Sequence, residues 1–203
     1  MAKQLKVESN VENLELYSDN YPFSLPLRID NFENEAEYKK FIRSCEMLVR
    51  RSVEYKLWRK YIVDVLQVDT CSITNERMSD VTVEVHHHIP SLFTATSAVI
   101  NKHIEDNKEF CSFDIARKVI ELHFGNKIGY TTLLKSMHEK FHNGKLTIPI
   151  DAIKGNYNQF LKDYSKYIDE EELDKIDLRL ATNQTNCTWS KDEYPVAVAA
   201  GGR

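Results

Sequence analysis

Seven histidines are present in the 203-residue chain, and five of them fall in two short stretches. His86, His87 and His88 stand together in "VTVEVHHHIP", and His138 and His142 stand four apart in "SMHEKFH". Neutral imidazole is a good ligand for Zn²⁺, Ni²⁺ or Mn²⁺. Two histidines at i and i+4 share one side of a helix. Joined by one imidazole from a strand, they make a three-ligand site with positions left for water or phosphate. A further histidine beside such a site has the pKa to act as a general base near neutral pH. The chemistry these residues suit is metal-assisted hydrolysis of a phosphodiester.

The elements that must position them can be read from the pattern of apolar residues. From Glu35 to about Leu66 the sequence is helical: Phe41, Cys45, Leu48, Val49 and Val53 recur at three and four residues, followed by Leu57, Tyr61 and Val65. The period then changes. "DTCSIT" and "VTVEV" are β-branched runs either side of the polar "NERMSD", which predicts a two-stranded hairpin leading into the histidines. Helices return after Pro90 in "SLFTATSAVINKHIEDN" and in "SFDIARKVIELHFGN", the latter with Ser112 to cap its start and Gly125 to close its end. A third, "YTTLLKSMHEKFHNGKL", carries His138 and His142 beside an apolar face of Leu133, Leu134, Met137 and Phe141, with Gly144 past its end. Residues 151–180 add one or two amphipathic helices, whose inward set is Tyr157, Phe160, Leu161, Tyr164 and Ile168. Residues 1–33 and the stretch from Thr182 onward lack a period and are expected to be irregular and extended, respectively.

Composition narrows the class. Charged residues make up 29% and apolar residues 42%, with six Gly and five Pro, the profile of a helix-rich globular protein. No run approaches the roughly 18 apolar residues of a membrane span, and the N-terminus lacks the apolar centre of a secretory signal, so a cytoplasmic location is expected. Cys45, Cys71, Cys111 and Cys187 form no CxxC pair, so reduced, mostly buried thiols are expected. The net charge is −4, yet eight basic residues (Lys39, Lys40, Arg43, Arg50, Arg51, Lys56, Arg59, Lys60) face only Glu46 and Glu54 between positions 39 and 60. Such a segment either neutralises nucleic-acid phosphates or is the solvated side of a helix with Val53, Leu57 and Tyr61 turned inward. The acidic run from Asp169 to Asp177 suits a helix start. His103 and His123 are expected to be a surface and a packing residue.

The stretches "EVHHHIP" and "LLKSMHEKFHNGKL" resemble the opening strand and closing helix of the HNH nucleases, whose fold is the ββα-metal or His-Me finger. The resemblance implies an α+β, mostly helical protein with a ββα-metal core, an inserted helical pair, and N- and C-terminal helices. The corresponding divisions are 1–66, an irregular segment and basic helical region; 67–148, the HNH-like module with an insertion at 91–128; 149–181, C-terminal helices; and 182–203, a tail. It further implies one divalent ion (Zn, Mg, Mn or Ni) held by His86, His138 and His142, with His87 as the base that activates water. His88 falls where the family has an apolar residue. The family's central Asn falls at Gly129, and Asn126 is the substitute at hand for orienting the loop.

On this reading the protein is a metal-dependent endonuclease acting on DNA, in host cytoplasm if phage-encoded, as the unclassified helical surround suggests. The alternative is a catalytically inactive HNH-like module that binds nucleic acid or a protein partner, for instance a host enzyme. The tail, with Trp189, Tyr194 and "PVAVAA", would then be an attachment segment.

Overall fold

A computed structural model describes residue 32, residues 34–77 and residues 83–185, the side chains of 182–185 excepted. Most of residues 1–33, and residues 186–203 with Cys187, Trp189 and Tyr194, lie outside the described part. The chain is α+β and mostly helical. Among the described residues there are seven α-helices and one two-stranded sheet.

The basic region forms two helices, α1 (Glu35–Arg51) and α2 (Val53–Asp64). Asn34 caps the first by accepting from the Glu37 amide. Ser52 divides them: its extended backbone ends α1, and its hydroxyl donates to the Val49 carbonyl while accepting from the Tyr55 amide that opens α2. That break re-phases the second helix. Val53, Leu57 and Tyr61, expected to face inward, are 65%, 56% and 47% exposed, whereas Tyr55, Trp58 and Ile62 are buried. Two apolar stripes compete on α2, and the one carrying Trp and Tyr removes more area from water.

Residues 78–82 of the expected hairpin lie outside the described part, and among the described residues its second strand has a different partner. Strand β1 (Val83–His87) is antiparallel to β2 (Tyr130–Leu134), with Val83 opposite Leu134, His86 opposite Thr131 and His87 opposite Tyr130. "YTTLL", expected to open the histidine helix, is therefore strand. It is buried on both faces, so its sequence shows none of the alternation that marks a half-buried strand. The "DTCSIT" segment instead docks on the other edge of β2 as a turn: the Ser72 amide donates to the Thr132 carbonyl at 2.7 Å, and the Thr132 hydroxyl donates to the Thr70 carbonyl at 2.6 Å. The histidine helix α5 (Lys135–His142) follows β2 without a loop. Gly144 lies just beyond its end with φ +69°.

Between the strands, the chain makes α3 (Leu92–Glu105) and α4 (Ser112–Phe124), the inserted helical pair. Helix α3 is buried nearly all round from Leu92 to Ile100, and its polar Thr96 is satisfied by the Leu92 carbonyl at 2.8 Å. Helix α4 is capped by Cys111 and Asp114 rather than by Ser112, the Asp114 carboxylate accepting from the Cys111 amide at 2.9 Å. Gly125 closes it. Helices α6 (Tyr157–Tyr164) and α7 (Glu170–Thr185) complete the fold. Of the inward set expected there, Phe160, Tyr164 and Ile168 are buried, and Tyr157 and Leu161 are half-buried. Helix α7 runs to Thr185, past the point where the tail was expected to begin. One buried apolar cluster, from Ile42 on α1 to Ile176 on α7, joins both strands and every helix but α5, whose Met137 and Phe141 pack against it. Cys45, Cys71 and Cys111 are free and buried within the protein.

Candidate metal centre

Alternation along β1 assigns the three adjacent histidines to different environments. Glu84, His86 and His88 share the face covered by α5, together with Thr131 and Leu133 from β2. Val85 and His87 point the other way, towards α2, α4 and the 70–72 turn.

On the α5 face, His86, His138 and His142 converge. His86 Nδ1 and His142 Nε2 each lie 2.9 Å from His138 Nε2, and all three ligand atoms fall within 4.8 Å of one another. Nitrogens bound tetrahedrally to one zinc ion at about 2.0–2.1 Å stand roughly 3.3 Å apart, so these atoms are close to the spacing a small divalent cation needs. The central imidazole is held in one tautomer. Glu84 Oε2, a carboxylate oxygen that only accepts, lies 2.6 Å from His138 Nδ1. In the neutral ring the proton therefore sits on Nδ1, and the Nε2 lone pair faces the cluster. Carboxylate, imidazole and cation in series is the arrangement that orients a ligating histidine and raises its basicity. Burial, reinforced by the neighbouring imidazoles, lowers the His86 pKa to about 3, so this ring is neutral and able to ligate. The donor set fits a divalent metal.

His87 has another role. His123 Nδ1 lies 2.7 Å from the Val119 carbonyl, which only accepts, so His123 carries its proton there and its Nε2 is an acceptor. His87 Nε2, 2.9 Å away, must donate. The pair is enclosed by aromatic rings, His87 stacking on Trp58 at 6.2 Å and His123 meeting Trp58 edge-on at 4.6 Å. His87 was expected to be the base. In the structure it is a buried hydrogen-bond donor on the far side of the sheet from the cluster, because a one-residue step along a strand reverses the side chain. The imidazole that does share the site's face is His88, its ring 5.9 Å from that of His86 and packed edge-on against Phe141 at 5.2 Å. Burial and, secondarily, Arg179 lower its pKa to about 4.

The buried pair makes acid stability testable. Burial lowers the His87 pKa well below 6.5 and that of His123 to about 4. In the unfolded chain both titrate near 6.5, so below that pH the unfolded state binds protons that the folded state refuses. Stability is full above about pH 6.5 and falls towards pH 4, by about 1.4 kcal/mol per pH unit for each such ring. Urea unfolding between pH 7 and 5 is expected to show this slope, to which His86 and His88, also lowered by burial, add. His87→Gln, which keeps a donor for His123, is expected to reduce the slope by one proton's worth.

The remaining sequence candidates lie elsewhere. Asn126 is exposed with φ +54°, and its carbonyl accepts from the Asn156 amide at 2.7 Å, tying the end of α4 to α6. Lys39, Lys40, Arg43, Arg50, Arg51, Lys56, Arg59 and Lys60 are all exposed along α1 and α2. Lys39, Arg50 and Lys60 form ion pairs with Glu35, Glu46 and Asp64. Arg50 is near enough for its charge to oppose protonation of both His86 and His87. His123 is the packing residue expected, and His103 is half-exposed, hydrogen-bonded to the Val99 carbonyl. Glu84 was not singled out by the sequence. The available signal was its position two residues before His86, on the same face of the strand.

A further side chain on this face has no partner. Thr131, directly opposite His86, is fully buried, and among the described residues its Oγ1 is the one buried side-chain oxygen or nitrogen without a hydrogen bond. Leaving a buried hydroxyl unpaired costs about 1–3 kcal/mol.

The fold and site thus define a mostly helical α+β protein with a trihistidine cluster between a strand and the helix that follows its partner strand. The chain belongs to the bacteriophage G278-like virion protein family, whose sequence model matches residues 3–194. The phage origin expected from the sequence agrees with that membership. No curated protein and no solved structure matches the chain. None of these comparisons links it to the HNH nucleases. No described helix is long and apolar enough to cross a membrane.

Proposed function

We propose that this virion-family protein is a metal-dependent endonuclease of the HNH type, hydrolysing phosphodiester bonds in DNA. The observation that carries the reading is the convergence of His86 from β1 with His138 and His142 from α5, with Glu84 behind His138. Strand β1, its partner β2 and the helix α5 that follows β2 bring these groups together. A divalent cation there would supply Lewis-acid stabilisation of the charge that develops on the phosphate. His86, His138 and His142 would hold it, and Glu84 would fix the ring of His138. His88, on the same face, is the imidazole positioned to take a proton from the attacking water, in place of His87. Arg50 and the exposed cations of α1 and α2 would meet the DNA backbone.

A second reading is favoured by the burial of His88, whose pKa is lowered to about 4, and by the net charge of −4: an inactive module whose metal serves stability, and which binds nucleic acid or another protein. The experiment separates them. Plasmid is incubated with the protein and Mg²⁺, Mn²⁺, Ni²⁺ or Zn²⁺, alongside His138→Ala, His88→Ala and His87→Gln. Metal-dependent nicking that is lost in the first two variants and retained in the third supports the nuclease. Absence of cleavage with every metal selects the binding module.

A further inference from the structure

We propose that Thr131 is a positioning residue of the trihistidine centre, its hydroxyl hydrogen-bonding the water that completes the coordination of a cation held by His86, His138 and His142. The inference rests on the metal-binding part of the reading above and is independent of whether the protein cleaves DNA.

Three observations lead to it. Thr131 and His86 are direct cross-strand partners on one face of the sheet, and such pairs have Cβ atoms about 4.5–5.5 Å apart. The Thr131 side chain is therefore adjacent to a ligand of the cluster. It is fully buried and its hydroxyl is unpaired, while the next residue along, Thr132, has its own hydroxyl satisfied by the Thr70 carbonyl and by Ser72. A valine would fill the same volume in a strand with no unmet polar atom, so the structure gives the hydroxyl no use within the protein itself. Finally, three imidazoles leave a small divalent cation one ligand short of four, and water is the usual addition at open sites. A threonine hydroxyl both donates and accepts, so it can orient that water whichever way its protons point.

The test uses the full chain stripped with chelator. Zn²⁺ affinity is measured by calorimetry, and the visible spectrum of the Co²⁺-loaded protein is recorded, for wild type, Thr131→Val, Thr131→Ser and His138→Ala. Thr131→Val is expected to leave the metal-free melting temperature unchanged or raised, to weaken Zn²⁺ binding about tenfold, as loss of an outer hydrogen bond does, and to alter the Co²⁺ bands. Thr131→Ser, which keeps the hydroxyl, is expected to restore both. Wild-type affinity and an unchanged Co²⁺ spectrum in Thr131→Val would overturn the role of Thr131 while leaving the metal site standing. If the wild type binds neither ion, behaving as His138→Ala does, the metal reading itself fails and this inference with it.

Discussion

Zinc added to chelator-stripped protein is expected to raise its melting temperature, and His138→Ala to abolish the rise. A ligand that binds only the folded state stabilises it by about 2.7 kcal/mol at one hundred times its dissociation constant. For a chain of this size that is roughly 5–10 °C. His138 is the right residue to remove because it is central: its Nε2 is 2.9 Å from both other ligand atoms, and its Nδ1 holds Glu84. It is also half-buried rather than part of the closed core, so the variant loses the site without opening a large cavity. Glu84→Gln should give an intermediate result, about 10–100-fold weaker binding, since all three ligands remain and only the orientation of one is relaxed. Differential scanning calorimetry with and without the ion reads all three proteins. Equal melting temperatures for the wild type in zinc and in chelator would reduce the cluster to three histidines hydrogen-bonded to one another.

The pairing of His138 with His142 was legible in the sequence because it depends on spacing alone. His138 and His142 share a side of any helix they occupy, and that survives the shortening of the expected helix to Lys135–His142. Which strand histidine joins them was not legible to the same degree. His86 and His88 against His87 is a question of strand phase, and phase is fixed by what covers each face. That cover is α5 on one side and Trp58, Tyr55 and His123 on the other, contributed by residues far away in the chain. The same limit explains the α2 stripe. Val53, Leu57 and Tyr61 have as regular a period as Tyr55, Trp58 and Ile62, and only the tertiary partners of the second set decide between them. The strand β2 was hidden for a related reason: buried on both faces, "YTTLL" has no alternation, and its apolar end runs directly into a helical pattern. The inserted helices α3 and α4, by contrast, depend on local period, and both were visible from the sequence, although the cap of α4 fell one residue earlier than expected.

Gly129 stands where the HNH resemblance puts an asparagine, and installing a side chain there should damage the protein rather than activate it. A Cβ built on Gly129 would stand 2.3 Å from the carbonyl oxygen of His88 and 2.4 Å from that of Ile89. Both are backbone atoms, so no side chain can swing away to make room. Gly129→Ala therefore requires the start of β2 to separate from the end of β1, at the place where the His88 amide donates to the Gly129 carbonyl at 3.0 Å. The expected loss is about 4 kcal/mol or more, in the range of the most disruptive single substitutions, and Gly129→Asn should be at least as severe. Gly144→Asn is the control. That glycine has φ +69°, a conformation asparagine tolerates, and nothing lies within 4 Å of its missing Cβ, so the variant should remain close to wild type. Urea unfolding followed by circular dichroism distinguishes these outcomes, and a Gly129→Ala protein as stable as wild type would contradict the close approach. In the HNH pattern that the resemblance implies, an asparagine ties the loop together through backbone hydrogen bonds and keeps the base oriented. Here the backbone of residue 129 bonds directly to that of His88, and it can do so only because no side chain intervenes. The glycine is thus what lets β2 approach the end of β1 closely enough to hold the His88 backbone.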